Sequence, residues 1–291
     1  MADKEDRFRV GLVQMRSGRD IRDNLIEAEA HIRDAARAGA QYIQTPENTL
    51  LMETDAPRLL EKIASEEATE GVAHFSSLAS ALRIWLHIGS IAIKVGEANA
   101  INRAYLFAPN GKIALRYDKI HMFDVNLPSG ETYRESATFV PGDTAYVAQL
   151  PWGALGVATC YDIRFPEQYK ALAKAGAKFL TAPSAFTKVT GEKHWHILLR
   201  ARAIENGCFM FAAAQGGRHA NGRTTYGHSL VISPWGEILA EGGAEPGVFI
   251  ADIDVGEVDR VRARIPALDH TRDFDVSVIP LPKFAALEVA E

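Results

Sequence analysis

The chain has 291 residues, with 32 Lys and Arg against 37 Asp and Glu, giving a formal net charge of −5. This mildly acidic balance argues against a nucleic-acid-binding protein, and no apolar run reaches the roughly 18–20 residues that a membrane span needs. Two cysteines, Cys160 and Cys208, are too few for a disulfide framework and fit a reducing compartment. With a charged N-terminal stretch that lacks an apolar signal region, the sequence predicts a cytoplasmic protein.

The first half of the chain alternates strands and helices. Phe8–Met15 is predicted to be a strand, and Asp20 precedes a helix whose apolar positions recur every three or four residues. A short strand at 41–45 leads directly into Pro46-Glu47. Further elements are predicted as a helical region at 57–82, a strand at 85–93, a hairpin at 103–118 that turns at Asn110-Gly111, and a long polar loop at 124–143.

The second half continues the alternation. A hairpin at 145–159 ends at Cys160, and Pro166 opens a helix. The remaining predicted elements are strands at 179–182, 208–214 and 247–253, helices at 193–206 and 255–264, and a hairpin at 226–241. Because there is no repeat, linker or composition break, the pattern predicts a single α/β domain with mixed sheets.

Three reactive side chains follow three separate predicted strands: Glu47, Lys119 and Cys160. A cysteine hydrolase needs a nucleophile, a base and a cation or donors for the oxyanion, and these residue types can supply them. Each also has an ordinary interpretation, as a solvated surface charge or a core thiol. A papain-like Cys–His pair is the main chemical alternative, but the residues around Cys160 match neither the papain signature nor a glycine-flanked nucleophile elbow.

The histidines give no metal-binding pattern. His194 and His196 are two apart on a predicted helix and therefore point in different directions. Neither an HExxH motif nor a pair of CxxC motifs is present. The sequence thus predicts no metal and no organic cofactor.

Basic residues near the predicted strand ends are candidates for holding a substrate carboxylate. Arg164 lies four residues after Cys160, and its planar guanidinium matches a carboxylate bidentately; a purely structural pairing with nearby carboxylates is an equal alternative. Arg218 and His219 follow a Gly-rich run that lacks a phosphate-loop pattern. They suit either a carboxylate contact or an ordinary exposed turn.

Three motifs together resemble the nitrilase, or carbon–nitrogen hydrolase, superfamily. They are Pro46-Glu47-Asn48, the stretch from Tyr117 to Asp124 (YDKIHMFD) and the stretch from Cys160 to Glu167 (CYDIRFPE). The resemblance extends over about residues 8–275, which is taken as one domain, and leaves 276–291 as a C-terminal tail.

The resemblance implies a catalytic triad of Glu47, Lys119 and Cys160, with Glu135 positioning the lysine and the substrate. The backbone N–H of Tyr161 is expected to join Lys119 in stabilising the oxyanion. The implied fold is an αββα sandwich with mixed sheets, which pairs across subunits into a four-layer dimer. A homodimer or a higher homo-oligomer is therefore expected.

Two further stretches, His194–Asn206 and Ala214–His219, are similar to the Nit-type amidase branch of this superfamily. One departure is His196, where the branch more often carries an acidic residue. The branch implies a thiol amidase that forms a cysteine thioester and acts on a small, linear, carboxylate-bearing amide. The favoured substrate is deaminated glutathione, giving 2-oxoglutarate and cysteinylglycine. The alternatives are ω-amidase action on 2-oxoglutaramate, N-carbamoyl amino acid hydrolysis and, from a different class, an inactive dimeric scaffold.

Overall fold

A computed structural model describes residues 6–128 and 130–280 of the chain. The strands, in chain order, are β1 (Arg7–Gln14), β2 (Tyr42–Gln44), β3 (Trp85–Val95), β4 (Asn99–Phe107), β5 (Ile113–Asp118), β6 (Asp124–Asn126), β7 (Thr132–Arg134), β8 (Tyr146–Leu150), β9 (Gly153–Val157), β10 (Ala177–Thr181), β11 (Phe209–Ala212), β12 (Gly216–Arg218), β13 (Thr224–Tyr226), β14 (Leu230–Ile232), β15 (Ile238–Glu241) and β16 (Gly247–Asp254). The α-helices are α1 (Ile21–Arg37), α2 (Ala56–Lys62), α3 (Glu70–Leu82), α4 (Pro166–Lys174), α5 (Lys188–Asn206) and α6 (Gly256–Arg264).

Two six-stranded mixed sheets form the frame of the fold. The first has the order β16-β1-β2-β3-β4-β5, and the second has the order β15-β14-β11-β10-β9-β8. In the first sheet, β1, β2 and β3 run parallel to one another while β16, β4 and β5 pair antiparallel. In the second, β9, β10 and β11 form the parallel centre. Glu47 and Cys160 follow strands of these parallel centres, β2 and β9, whereas Lys119 follows β5, which runs in the same direction as β3.

The two sheets pack face to face through an apolar core. Phe8 of β1 stacks on Trp152, with ring centroids 4.2 Å apart, and meets Phe179 of β10 edge to face. The same cluster includes Leu12 from the first sheet and Phe211 from the second, both fully buried. Burying apolar side chains between two sheets provides the main driving force for this packing.

Helices cover the outer face of each sheet, so that one chain by itself contains all four layers of an αββα sandwich. Asp20 caps α1 by accepting the backbone N–H groups of Arg22 and Asp23. The apolar stripe of α1, including Ile32, packs on the first sheet together with α3. Helices α4 and α5 cover the second sheet, with Trp195 of α5 fully buried. The predicted αββα sandwich is confirmed, but its four layers come from one chain, so the expectation that two subunits pair to make four layers was wrong.

Several predicted boundaries were wrong. The helical region at 57–82 is two helices, because the carbonyl of Ala64 accepts the backbone N–H of Lys94 and the chain there runs alongside β3. Helix α5 begins five residues earlier than predicted, after Thr187, which serves as its N-cap. The loop at 124–143 contains the two-stranded ribbon β6–β7 and a short 3-10 helix.

No helix in the described part of the chain is long and apolar enough to cross a membrane. Within the described residues, the last regular element is α6, and residues 266–280 contain neither helix nor strand. Of the predicted tail at 276–291, residues 281–291 lie outside the described part of the chain.

Candidate active site

The predicted triad residues come from both sheets and meet at one cavity. Glu47 follows β2 and Lys119 follows β5, both in the first sheet, whereas Cys160 follows β9 in the second. All three line a cavity of about 510 Å³, together with Glu135 and Tyr161. The site is therefore built across the interface between the sheets.

Cys160 begins a short 3-10 helix, Cys160–Arg164, and its backbone is in the left-handed region with a φ of 49°. Its N–H donates to the carbonyl of Pro183 at 3.0 Å. A non-glycine residue in this region is strained, and such strain is common at active sites. The turn holds the thiol at the cavity wall, with 7% of the residue exposed.

Asp162 fixes this turn in place. Its fully buried carboxylate accepts hydrogen bonds from the Thr159 N–H at 2.9 Å and the Tyr117 hydroxyl at 2.5 Å. It also contacts Nδ1 of His121 at 2.8 Å. Because a buried carboxylate needs such partners, this network ties the nucleophile turn to the end of β5. The sequence analysis did not assign Asp162 this role.

Lys119 is held between two carboxylates. Its Nζ lies 3.0 Å from Glu47 Oε1, and 3.0 and 2.8 Å from the two oxygens of Glu135. The amide of Asn102 donates to both glutamates, at 3.1 and 3.3 Å. The second oxygen of Glu47 accepts the N–H of Ala185 at 2.9 Å. Lys119 is only 2% exposed and Glu47 only 3%, so these are buried charges satisfied by one another.

The charges shift one another's pKa values. Burial opposes ionisation of Lys119, but the carboxylates of Glu135 and Glu47 outweigh burial and raise the pKa of Lys119 well above its ordinary value. Burial alone would raise the pKa of Glu47; the charge of Lys119 and hydrogen bonds, including one with the Cys160 thiol, lower it instead. Lys119 and Glu47 are therefore both ionised near neutral pH.

The Cys160 thiol, in contrast to Lys119 and Glu47, is held in its neutral form. Burial raises the pKa of Cys160, the Glu47 carboxylate raises it further, and the charge of Lys119 only partly offsets them. The resting proton therefore belongs to sulfur, and an ionised carboxylate stands ready to accept it. Such a site can perform nucleophilic catalysis with an adjacent general base, without a preformed thiolate.

Of the four predicted substrate-binding residues, Tyr161 lines the cavity and the other three lie elsewhere. Arg164 donates to His194 Nδ1 at 3.3 Å, and its guanidinium carbon lies 5.4 Å from the centre of the Phe186 ring. Arg218 is an exposed residue of β12. The structure therefore does not bring Arg164 or Arg218 together with the triad.

His219 is buried and is already engaged on both ring nitrogens. Nδ1 lies 2.9 Å from the carbonyl of Ser17 and Nε2 lies 2.7 Å from the Thr225 hydroxyl. Burial lowers the pKa of His219 to about 4, so the ring is neutral at pH 7. This geometry is that of a structural histidine.

Like Arg134, Arg223, which sequence reasoning missed, lines the cavity. Its Nη2 donates to the carbonyl of Ala185 at 2.5 Å, Nη1 approaches Met52 Sδ at 4.0 Å, and the guanidinium carbon lies 5.1 Å from the centre of the Tyr133 ring. Its buried Nε has no partner among the described residues. These neutral contacts leave its positive charge available to an anion. The signal that could have found it is Asn221-Gly222, a turn dipeptide that folds the chain back after His219.

A comparison with known families agrees with this geometry. The family model described as carbon-nitrogen hydrolase matches residues 9–263. The chain belongs to the carbon–nitrogen hydrolase family. The predicted superfamily is thereby confirmed, and the cavity with its cysteine is the candidate active site of a carbon–nitrogen hydrolase.

Similar sequences belong to amidases of this family. A deaminated glutathione amidase of Synechocystis sp. is 43% identical over 263 residues, which cover 89% of this chain and 96% of that protein. A protein of the same name from Yersinia enterocolitica is 39% identical, covering 93% of this chain and 95% of that protein.

Solved structures with a similar fold include members of the nitrilase superfamily. The C. elegans NitFhit protein matches with a TM-score of 0.85 and 34% identity over 91% of this chain, which spans only 65% of that protein. An amidase variant from Nesterenkonia sp. AN1 matches with a TM-score of 0.77 and 26% identity, over 91% of this chain and 94% of that one. In that structure, the acetamide moiety of fluoroacetamide is covalently attached to the active-site cysteine.

Proposed function

We propose that this carbon–nitrogen hydrolase cleaves a linear amide through a thioester on Cys160. The observation that carries the proposal is the buried arrangement of Lys119 between Glu47 and Glu135, beside a cysteine at the wall of a cavity. In this arrangement Glu47 takes the thiol proton as sulfur attacks the amide carbonyl carbon. The negative charge that develops on the carbonyl oxygen faces the ammonium of Lys119.

The backbone N–H of Tyr161 supports the same oxyanion. It lies in the first turn of the 3-10 helix Cys160–Arg164, where backbone N–H groups have no partner within the helix. Glu135 positions Lys119 and neutralises its charge in the resting enzyme. Buried, preorganised donors of this kind stabilise a transition state more than a ground state.

Glu47 then carries the proton through the rest of the cycle. As the tetrahedral intermediate collapses, the protonated Glu47 donates to the leaving nitrogen, the C–N bond breaks and an amine or ammonia departs. Glu47, again a carboxylate, takes a proton from water, whose oxygen attacks the thioester. The acid leaves and the proton returns to sulfur, so that the cycle balances.

For the substrate we propose deaminated glutathione, hydrolysed to 2-oxoglutarate and cysteinylglycine. Two observations support it. Relatives at 43% and 39% identity carry the name deaminated glutathione amidase. The cavity of about 510 Å³ is also large enough for a ligand of tripeptide size.

We propose Arg223 as the residue that holds a substrate carboxylate, in place of Arg164, Arg218 or His219. Its guanidinium lines the cavity, and its hydrogen-bond contacts there, with the carbonyl of Ala185 and with Met52 Sδ, are to neutral atoms. The N–H of that same Ala185 binds Glu47. A carboxylate on Arg223 would therefore sit at a fixed distance from the base, which is the condition for orienting the scissile amide.

A panel of substrates tests the proposed function. Purified protein is assayed for 2-oxoglutarate release from deaminated glutathione and from 2-oxoglutaramate, and for amine or ammonia release from N-carbamoyl amino acids and nitriles. We expect the highest kcat/KM for deaminated glutathione. A preference for 2-oxoglutaramate or for carbamoyl amino acids would contradict the proposed substrate but leave the thioester mechanism unchanged. No turnover of any of these by folded protein would favour the inactive scaffold.

We also propose that the enzyme is cytoplasmic and works as a homodimer or a higher homo-oligomer. Both cysteines are free thiols, which suits a reducing compartment. Exposed apolar side chains on α5, Ile197 at 69% and Ile204 at 53%, give a surface that association would cover. Sedimentation velocity at several concentrations tests the oligomer.

A further inference from the structure

Three side chains with metal-binding atoms lie together outside the catalytic cavity. They are His196 on α5, His228 between β13 and β14, and Glu241 at the end of β15. His196 Nε2 lies 2.9 Å from Glu241 Oε1, and His228 Nδ1 lies 3.0 Å from the same oxygen. All three ligand atoms lie within 4.8 Å of one another. Three elements distant in sequence thus converge on one point.

We propose that His196, His228 and Glu241 form a binding site for a divalent transition metal ion, with Zn²⁺ as its test ion. Neutral imidazole nitrogens and a carboxylate oxygen are ligands that zinc and its neighbours in the first transition row prefer. Each imidazole now directs a ring nitrogen at the carboxylate. A neutral imidazole can move its proton to its other ring nitrogen and present a lone pair to the metal, while the carboxylate supplies the third ligand.

In a single chain the cluster is open enough for an ion to enter. The side chains of His196 and His228 are each 29% exposed, and that of Glu241 is 39% exposed. Water can therefore complete the coordination shell, as in zinc sites that have three protein ligands. An exposed side also provides the entry path that a metal site needs.

The backbone around the cluster fixes the ligands before metal arrives. The carbonyl of His228 accepts the indole N–H of buried Trp195 at 2.7 Å, and its N–H donates to the carbonyl of Gly243 at 2.8 Å. The ring of Tyr226 stacks on the His228 imidazole with centroids 4.3 Å apart. Ligand orientation of this kind increases metal affinity.

The proposed site would join helix α5 to the edge of the second sheet. His196 belongs to the helix, while Glu241 is in the edge strand β15 and pairs with Leu230 of β14. The first turn of the same helix, at Thr187 and Thr190, lines the catalytic cavity. A metal here would stabilise one wall of the cavity without entering the reaction, because none of its three ligands lines that cavity.

The site explains why the sequence predicted no metal centre. Two histidines two residues apart on a helix do point apart, and His194 indeed turns to Arg164. The partners of His196 lie instead 32 and 45 positions further along the chain, too far for any local motif.

Zinc titration of the full-length enzyme tests the proposal. Chelator-treated wild type is compared by calorimetry with His196→Gln, which keeps an N–H donor for Glu241 but is a poor ligand. It is also compared with His228→Asn, since asparagine tolerates the left-handed backbone (φ 54°) found there. The matched control is His194→Gln, two residues away on the same helix. Cobalt absorption spectra report whether a thiolate takes part in binding.

We expect the wild type and His194→Gln to bind one Zn²⁺ in a site that both other variants weaken by at least about ten-fold. Saturating zinc should raise the melting temperature of the wild type by roughly 5–10 °C and that of His196→Gln much less. The cobalt spectrum should lack thiolate bands. The proposal is overturned if the wild type binds no zinc saturably, if binding survives His196→Gln and His228→Asn, or if the cobalt spectrum shows thiolate ligation at that site.

Discussion

Two cysteines lie in the same apolar cluster beneath α4 and α5, and their surroundings differ in an instructive way. Both thiols are buried, and both have a cation nearby: Lys119 beside Cys160, and Arg262 beside Cys208. Burial raises the pKa of Cys208 to about 11, and Arg262 offsets this only in part. Burial raises the pKa of Cys160 as well. Neither a low thiol pKa nor a neighbouring cation therefore separates the two sites.

Cys160 differs from Cys208 in having a neighbouring base and access to the cavity. Cys160 has the Glu47 carboxylate as a neighbour and lines the cavity. Cys208 is completely buried, and its sulfur contacts the carbonyls of Ala177 and Asn206. A carbonyl is a poor proton acceptor, so Cys208 has no route to a nucleophilic thiolate. The comparison indicates that reactivity comes from proton transfer to Glu47 during attack, rather than from a thiolate at rest.

Replacing each cysteine by alanine should give the largest difference between the two sites. Cys160→Ala should lower kcat by at least about 10⁴-fold, because the nucleophile is lost. Cys208→Ala should keep kcat within two-fold and lower only the melting temperature, since it removes a packed sulfur. Steady-state kinetics and mass spectrometry with a slow substrate check both. An acyl adduct on Cys208 in the wild type would contradict the assignment.

Lys119→Ala should have the next largest effect. Its ammonium faces charge that forms only after attack, so kcat should fall about 10²–10³-fold while KM changes little. Lys178, which pairs with Asp259 at the surface, provides a matched control: Lys178→Ala should leave kcat within two-fold. A Lys119→Ala enzyme with near-normal kcat and a raised KM would assign Lys119 to substrate binding instead.

Arg223→Lys should lower kcat/KM for carboxylate-bearing amides about ten- to a hundred-fold, because lysine cannot form the bidentate contact worth roughly 1.5–3 kcal/mol. A neutral amide of similar size should lose little. Arg164→Lys and Arg218→Lys serve as controls, and both should resemble the wild type on all substrates. The carboxylate site lies elsewhere if Arg164→Lys shows the selective loss and Arg223→Lys does not.

The pH profile of kcat/KM should show the depressed pKa of Glu47. The base works as a carboxylate, and its pKa lies below the ordinary 4.5. Activity should therefore persist as pH falls to about 4.5 and disappear only below it, with circular dichroism confirming that the fold remains. Lys119, with a pKa well above 10.5, should impose no loss through about pH 9. In Lys119→Ala, the acid limb should move to higher pH, and an unchanged limb would show that another group controls it.

Chelation should have the smallest effect on turnover. Exhaustive EDTA dialysis should change kcat by less than about two-fold, because the proposed chemistry uses only side chains and backbone. A thiol alkylator should abolish activity in the same preparation. Loss of activity on chelation, restored by zinc, would contradict the mechanism based on Glu47, Lys119 and Cys160.

Most of the fold and the three central residues of the site could be predicted from the sequence. Strand and helix patterns are periodic and local, and Glu47, Lys119 and Cys160 each follow a recognisable strand. The αββα arrangement came from the resemblance, since alternation alone is compatible with several α/β folds.

Contacts over long chain distances could not be predicted. Asn102 links Glu47 to Glu135, and a lone asparagine within a strand gives no local signal of that role. The predicted substrate-binding residues end at His219, four residues before Arg223, which lines the cavity. The local signal for Arg223 is the Asn221-Gly222 turn, which lies just beyond the Gly-rich run.

The path of the chain through the first sheet bears on how the enzyme is made in the cell. Strand β1, near the start, pairs along its whole length with β16, which ends at Asp254. During synthesis the β16 side of β1 therefore stays unpaired until the chain as far as Asp254 has left the ribosome. Until then the surface meant for β16 is an open strand edge, at risk of aggregation. Because Cys160 meets its base only when both sheets have packed, a nascent or damaged chain would carry no competent nucleophile.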